Sequence, residues 1–108
     1  RPLIEGYLRS TASLSGVVQL LDIRREASDD DVAMLDYLAE LELPTVVVLT
    51  KIDKISRAAA DERARGIMET LSLPREQVIP FSSSTGEGRD ELAAAVASLV
   101  DVTRGEDN

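Results

Sequence analysis

Residues 44–53 read Pro44-Thr45-Val46-Val47-Val48-Leu49-Thr50-Lys51-Ile52-Asp53. The run from Pro44 to Thr50 is β-branched and almost continuously apolar, and it ends on charge. A short run of that kind is expected of a strand covered on both faces, as strands are inside a parallel sheet. Two further runs share the pattern: Gly16 to Asp22, carrying Val17-Val18-Gln19-Leu20-Leu21, and Gln77 to Ser82, carrying Val78-Ile79-Pro80-Phe81. Segments of helical period lie between and after them, and strands alternating with helices predict an α/β fold whose parallel strands are joined by crossover helices. Pro80 lacks the N–H that a ladder uses, which places the third run at a sheet edge.

The helical segments carry their own boundary signals. Asp29, Asp30 and Asp31 fall in the first turn of a helix running to about Leu41, where the helix dipole favours carboxylates, and Ser28 is its expected cap. Ser56 is placed to cap a second helix ending near Ser72, with Ala60, Ala64, Ile67, Met68 and Leu71 forming one apolar stripe toward the core. A last helix is expected from about Arg89 to Val100, with Asp90 and Glu91 in its first turn and Leu92, Val96 and Leu99 along one face. Leu3, Ile4, Tyr7 and Leu8 fit a short opening helix. The expected organisation is one domain over residues 1–102, followed by a polar tail at 103–108 that frays.

Composition narrows the function. The chain has 108 residues, with 20 Asp plus Glu against 12 Lys plus Arg, a formal charge of −8, and no Cys, His or Trp. Without Cys there is no disulfide framework or thiol nucleophile. Without His or Cys neither the common zinc sites nor a Ser-His-Asp triad can be assembled. An acidic chain repels nucleic acid and anionic membrane unless its cations cluster, and here they do not cluster along the sequence. The 44% apolar content suffices for one core, largely aliphatic because the aromatics are Tyr7, Tyr37 and Phe81. Arg1-Pro2-Leu3-Ile4-Glu5 does not open like a signal peptide, and no apolar run approaches the roughly 20 residues that span a bilayer. A soluble, cytoplasmic protein without a membrane partner is the expectation.

A parallel sheet delivers the C-terminal ends of its strands to one edge, where ligands bind in folds of this class. Those ends carry Asp22-Ile23-Arg24-Arg25, then Thr50-Lys51-Ile52-Asp53, then Ser82-Ser83-Ser84-Thr85-Gly86-Glu87-Gly88. At the second end, Lys51 and Asp53 project from the loop that starts the next helix. The Asp53 carboxylate can accept from two adjacent N–H groups of guanine, a pair that adenine lacks, and the Lys51 stem can lie along the ring. At the third end, backbone N–H groups of a Ser- and Gly-rich turn suit a carbonyl oxygen. Each stretch also has a plainer reading, as a solvated loop or a flexible connection. Their occurrence on successive strand ends favours recognition of a base. Asp22 is better read as a strand-terminating residue bonded to backbone than as a metal ligand or phospho-acceptor, since the neighbouring strand ends offer no second carboxylate. Arg24 and Arg25 stay open between a solvated pair and a contact to RNA or protein.

Thr50-Lys51-Ile52-Asp53-Lys54 resembles the guanine-specificity motif of translation-factor-related GTPases, with Thr in place of the usual Asn, and Ser82 to Gly88 resembles their final guanine-contacting loop. Four further segments narrow the likeness: Leu3-Ile4-Glu5-Gly6-Tyr7-Leu8, Leu14 to Arg24, Asp31-Val32-Ala33-Met34-Leu35, and Val47-Val48-Leu49-Thr50-Lys51. Over nearly all of residues 1–100 the chain resembles the EngB-type ribosome-biogenesis GTPases. The resemblance implies a partial P-loop GTPase fold, three parallel strands with flanking helices, as the C-terminal half of a six-stranded domain. It implies guanine binding by Thr50, Lys51, Asp53, Ser82, Ser83 and Ser84, with Asp53 reading N1 and N2, Lys51 packed on the ring, and backbone N–H groups near Ser83 and Ser84 meeting the base oxygen.

For the intact domain it implies GTP or GDP and Mg²⁺, the large ribosomal subunit as partner, and roles in ribosome assembly, cell division and septation. The family's GxxxxGK[ST] loop and DxxG turn do not occur in these residues. No catalytic residue or metal ligand is therefore expected here, and the chain by itself is expected to bind GTP weakly and not to hydrolyse it. The N-terminal half of the domain becomes an expected partner. Without it, the flank of the strand Gly16 to Asp22 is expected to be an open edge that invites a strand-paired or swapped dimer. The competing reading is an acidic α/β protein-interaction module that binds no nucleotide, in which Asp53 only shapes a turn.

Overall fold

In the computed structural model, which describes residues 16–107, the elements follow in the order β1 (Val17–Asp22), α1 (Asp29–Glu40), β2 (Thr45–Thr50), α2 (Arg57–Leu71), β3 (Val78–Pro80) and α3 (Arg89–Asp107). The opening helix expected around Leu3, Ile4, Tyr7 and Leu8 lies outside the described residues. The three strands form one parallel sheet in the order β1-β2-β3, with Asp22 opposite Thr50 and Val48 opposite Ile79. β2 is central, and Val47, Val48 and Leu49 are all essentially inaccessible, which is why that stretch is apolar without alternation.

The caps form as their chemistry dictates. Ser28 accepts from Asp31 N–H while Asp31 accepts from Ser28 N–H, a reciprocal box that satisfies two end groups of α1. Ser56 accepts from Ala59 N–H at the start of α2. Ile67 and Leu71 of α2 join Ile23, Val47, Leu49 and Val78 in one buried cluster, against which Val32 and Leu35 of α1 also pack. Val48 and Ile79 alternate onto the opposite face of the sheet, where they are buried too. A side chain on Gly16 would collide with Leu99, which brings α3 against the start of β1.

Two boundaries differ from expectation for identifiable reasons. β3 spans Val78–Pro80 rather than Gln77 to Ser82. Gln77 closes a 3₁₀ turn (Arg75–Gln77) and sends its side-chain amide to Thr45 O at 2.9 Å, while beyond Pro80 the Ser82 N–H turns away to Glu87 O. α3 continues past Val100 to Asp107, through most of the stretch set apart as a tail. No proline bars that extension, and a single glycine costs a helix only about 1 kcal/mol.

β1 is an edge strand among the described residues, and its outer face is bare. Val18 is 38% and Leu20 63% exposed, whereas Leu21 packs into the core. No helix of the described residues is long and apolar enough to cross a membrane.

Candidate functional site

Parallel pairing brings the ends of β1, β2 and β3 to one edge, and the loops beyond β2 and β3 are stitched together there by backbone. Phe81 N–H donates to Leu49 O at 2.8 Å, and Ile52 N–H donates to Phe81 O at 3.3 Å. Lys51, between them, adopts φ 64° and ψ 34°. The left-handed region is ordinary at the helix ends occupied by Glu42 and Ser72, but Lys51 leaves a strand, where a side-chain-bearing residue in that region is uncommon. The tight turn it makes lets a 3₁₀ turn, Ile52–Lys54, present Asp53 toward the β3 loop.

Ser82 joins the two loops. Its side chain is fully buried, its Oγ accepts Thr85 N–H at 3.2 Å, and its hydroxyl donates to Asp53 Oδ1 at 2.8 Å. That hydrogen bond is the largest of the influences that hold the Asp53 carboxyl below its ordinary pKa, against a smaller opposing desolvation. Asp53 Oδ2 stands 3.7 Å from Lys54 Nζ, and the Asp53 side chain is 21% exposed, so the carboxylate is oriented on one oxygen and still accessible to a ligand.

The loop after β3 closes on itself. Gly86 N–H donates to Ser82 O, Ser82 N–H donates to Glu87 O, and Glu87 N–H donates to Thr85 Oγ1. Gly88 has φ 84°, and a Cβ there would overlap the Pro80 carbonyl, so only glycine lets the loop fold back onto β3. From the side, Arg57 forks onto Glu87 with contacts of 3.0 and 3.3 Å. The charge-assisted pair raises the Arg57 pKa further above its ordinary value.

The candidate residues divide between two adjacent hollows. One, of about 450 Å³, is lined by Leu20, Asp22, Thr50, Lys51, Phe81 and Ser83. The other, of about 210 Å³, contains Asp53 with Ile52, Arg57, Thr85 and Glu87. Ser82 lies buried at the Asp53 carboxylate, Ser84 is exposed on the loop, and Thr50 Oγ1 lies 3.4 Å from Leu21 O on β1. A larger hollow of about 550 Å³ runs along α2 at Ala59, Arg63, Gly66 and Thr70, and it involves none of these loop residues.

At the β1 end, Asp22 accepts from Arg24 N–H at 2.9 Å and from its guanidinium at 3.0 and 2.7 Å. The side-chain bonds first, then the backbone bond, hold the Asp22 carboxyl far below the usual carboxylate range, and the side-chain bonds together with the Asp22 charge raise the Arg24 pKa. Asp22 thus terminates its strand by bonding to backbone, and Arg24 is committed to it. Among the described residues, no three Asp or Glu side chains stand together as a candidate metal site.

The Arg57–Glu87 pair is invisible to motif reading, since the partners are 30 residues apart. One signal does exist. α2 begins on a cation with no acid in its first turn, the reverse of what its dipole favours, so Arg57 is placed to attract a carboxylate, and Glu87 acts on it more strongly than Asp61 of the same helix.

No family model matches the sequence. Among curated proteins, the chain is 51% identical over 100 residues to a probable GTP-binding protein EngB of Gemmatimonas aurantiaca, covering 93% of this chain and 49% of that protein. It is 44% identical over 100 residues to a probable GTP-binding protein EngB of Syntrophomonas wolfei, covering 93% of this chain and 51% of that protein. A crystal structure of a probable GTP-binding protein EngB superposes with a TM-score of 0.77 at 22% identity, covering 93% of this chain and 64% of that one, which supports a common fold. The three parallel strands with flanking helices are thus part of a P-loop GTPase fold. Over almost its whole length the chain is homologous to the EngB-type GTP-binding proteins, and it spans about half the length of the curated relatives it matches.

Proposed function

We propose that this chain supplies the guanine-reading half of a GTP- or GDP-binding domain. Asp53 accepts from guanine N1–H and N2–H, the Lys51 stem covers one ring face, Thr50 shapes the strand end, and backbone N–H groups at Ser83 and Ser84 donate to the base oxygen. Ser82 acts on the base through Asp53, which it orients. The observation that carries this reading is the 2.8 Å bond from the buried Ser82 hydroxyl to Asp53 Oδ1, because it fixes a recognising carboxylate before any ligand arrives. A carboxylate aimed at two donors rejects adenine, whose corresponding edge leaves it unpaired.

The test is competition between GDP and ADP for the full-length protein. Guanine is expected to win by at least two orders of magnitude, as a polar site discriminates against a ligand lacking the matching groups, and equal affinity overturns the reading.

The rest of the proposal extends the resemblance to EngB-type GTPases beyond what the matched relatives, named only as GTP-binding, carry in their names. Phosphate and Mg²⁺ binding fall to residues outside this chain, so the 108 residues alone bind GTP weakly and do not hydrolyse it. The whole protein acts in the cytoplasm on the large ribosomal subunit during its assembly, and through that role affects division and septation. Taken alone, the chain associates through the bare β1 flank, where Val18 and Leu20 are exposed. No observation favours the alternative of an interaction module that binds no nucleotide over this reading.

A further inference from the structure

We propose that Arg57 and Glu87 form a clasp that governs how long a guanine nucleotide stays bound, making Arg57 a positioning residue for the base-reading loops. The inference rests on the guanine reading above and extends it to residues that touch no part of the base.

The geometry is a closed circuit. Arg57, at the first position of α2, forks onto Glu87 at 3.0 and 3.3 Å. Glu87 N–H donates to Thr85 Oγ1, Thr85 N–H donates to Ser82 Oγ, and Ser82 Oγ–H donates to Asp53 Oδ1. Asp53 in turn lies four residues before Arg57 on the segment leading into α2. The circuit therefore ties the loop carrying Ser83 and Ser84 to the segment carrying Asp53 at a second point, on the far side of Ser82. Without the clasp, the loop keeps its internal bonds, Ser82 N–H to Glu87 O among them, but beyond Phe81 it is tied to the Asp53 segment by the Ser82 hydroxyl alone.

Arg57 is also out of place as a helix residue. A cation at a helix N-terminus opposes the dipole, and exposed ion pairs contribute little to global stability. Arg57 and Glu87 have 69% and 42% exposed side chains. The pair is thus poorly suited to stabilising the fold and well suited to restraining a loop.

That distinction sets the test, made on the full-length protein with a fluorescent GDP analogue. Arg57→Ala and Glu87→Gln are expected to speed GDP release about threefold to fivefold, the effect of a pair at the upper end of the range for exposed ion pairs. The melting temperature without nucleotide should hold for both variants, or rise for Arg57→Ala as the dipole clash is relieved. The exchange Arg57→Glu with Glu87→Arg should return the release rate to within about twofold of the parent, since pairing is restored whichever side carries the charge. Release rates that do not move in the single variants, or that move only in proportion to a lost melting temperature, overturn the clasp and leave the guanine reading standing. A parent protein that binds GDP no better than ADP overturns both.

Discussion

Ser82 and Asp53, 29 residues apart in sequence, meet through a 2.8 Å hydrogen bond whose donor is wholly buried and whose acceptor remains accessible. The burial matters because a buried hydroxyl has no water to turn to. It either bonds Asp53 or goes unsatisfied, so the carboxylate is held by necessity as well as by attraction.

Ser82→Ala removes that donor and strands the Thr85 N–H, and a loss of about 1–2 kcal/mol in urea unfolding is expected. The Asp53 carboxyl is held below its ordinary 3.8, chiefly by Ser82. A carboxylate whose pKa is depressed on folding stabilises the fold above its unfolded pKa, and that contribution disappears as pH falls through the folded value. The gap between parent and variant should therefore be full at neutral pH and narrow below about pH 3.8. A gap independent of pH down to complete protonation would remove Asp53 from the account.

Lys51→Gly should separate stability from recognition. Lys51 sits at φ 64°, where glycine is relaxed, and the strain relieved offsets the entropy that glycine loses on folding. Thermal stability is expected to hold or rise, while guanine-nucleotide affinity falls because the ring loses its covering stem. A variant that unfolds earlier than the parent would mean that the Lys51 side chain supports the loop itself.

Much of this architecture is legible in single residues. Val46 to Leu49, apolar without alternation, fixes β2 as a strand buried on both faces, and Ser28 and Ser56 mark helix starts because a hydroxyl or carboxylate must satisfy end N–H groups. Pro80 announces an edge strand, and among the described residues β3 is one. Long-range polar pairing is what the sequence conceals. Ser82 reads as a loop serine until the fold buries it against Asp53, and the Arg24 guanidinium, left open between solvent and a partner, forks onto Asp22 two residues away. Hydrophobic period reports which face is buried, but it carries no information on which polar groups will meet across 30 residues.

Two glycines should respond in opposite directions to alanine. At Gly88, φ 84° and the Pro80 carbonyl leave no room for a Cβ, so Gly88→Ala is expected to cost more than about 1 kcal/mol and to loosen the Ser82 loop. Gly66 lies inside α2 with open space where a methyl would stand, and Gly66→Ala should stabilise by about 0.5–1 kcal/mol through helix propensity. Chemical denaturation of the two variants checks both signs.

Asp53→Asn exchanges one acceptor for a donor. Guanine presents two donors to this position, whereas xanthine presents one donor and one carbonyl acceptor, so the amide fits xanthine. Competition between guanosine and xanthosine diphosphates for the variant should favour xanthosine, reversing the parent's order. Retained preference for guanine would place the base elsewhere.

The bare flank of β1 supplies the last contrast. Leu49, fully buried in the central strand, should cost about 2–5 kcal/mol when cut to alanine, because its removal leaves a cavity in a packed core. Leu20, 63% exposed on the neighbouring strand, should change the stability of the isolated fold by no more than about 0.5 kcal/mol when replaced by glutamate. Association is where Leu20 should matter. An apolar edge strand with open hydrogen-bonding groups templates pairing, and a charge on that face opposes it. Light scattering on the 108-residue chain is expected to show dimers or larger species that Leu20→Glu shifts toward monomer, whereas a monodisperse monomer for the parent would rule out pairing through β1.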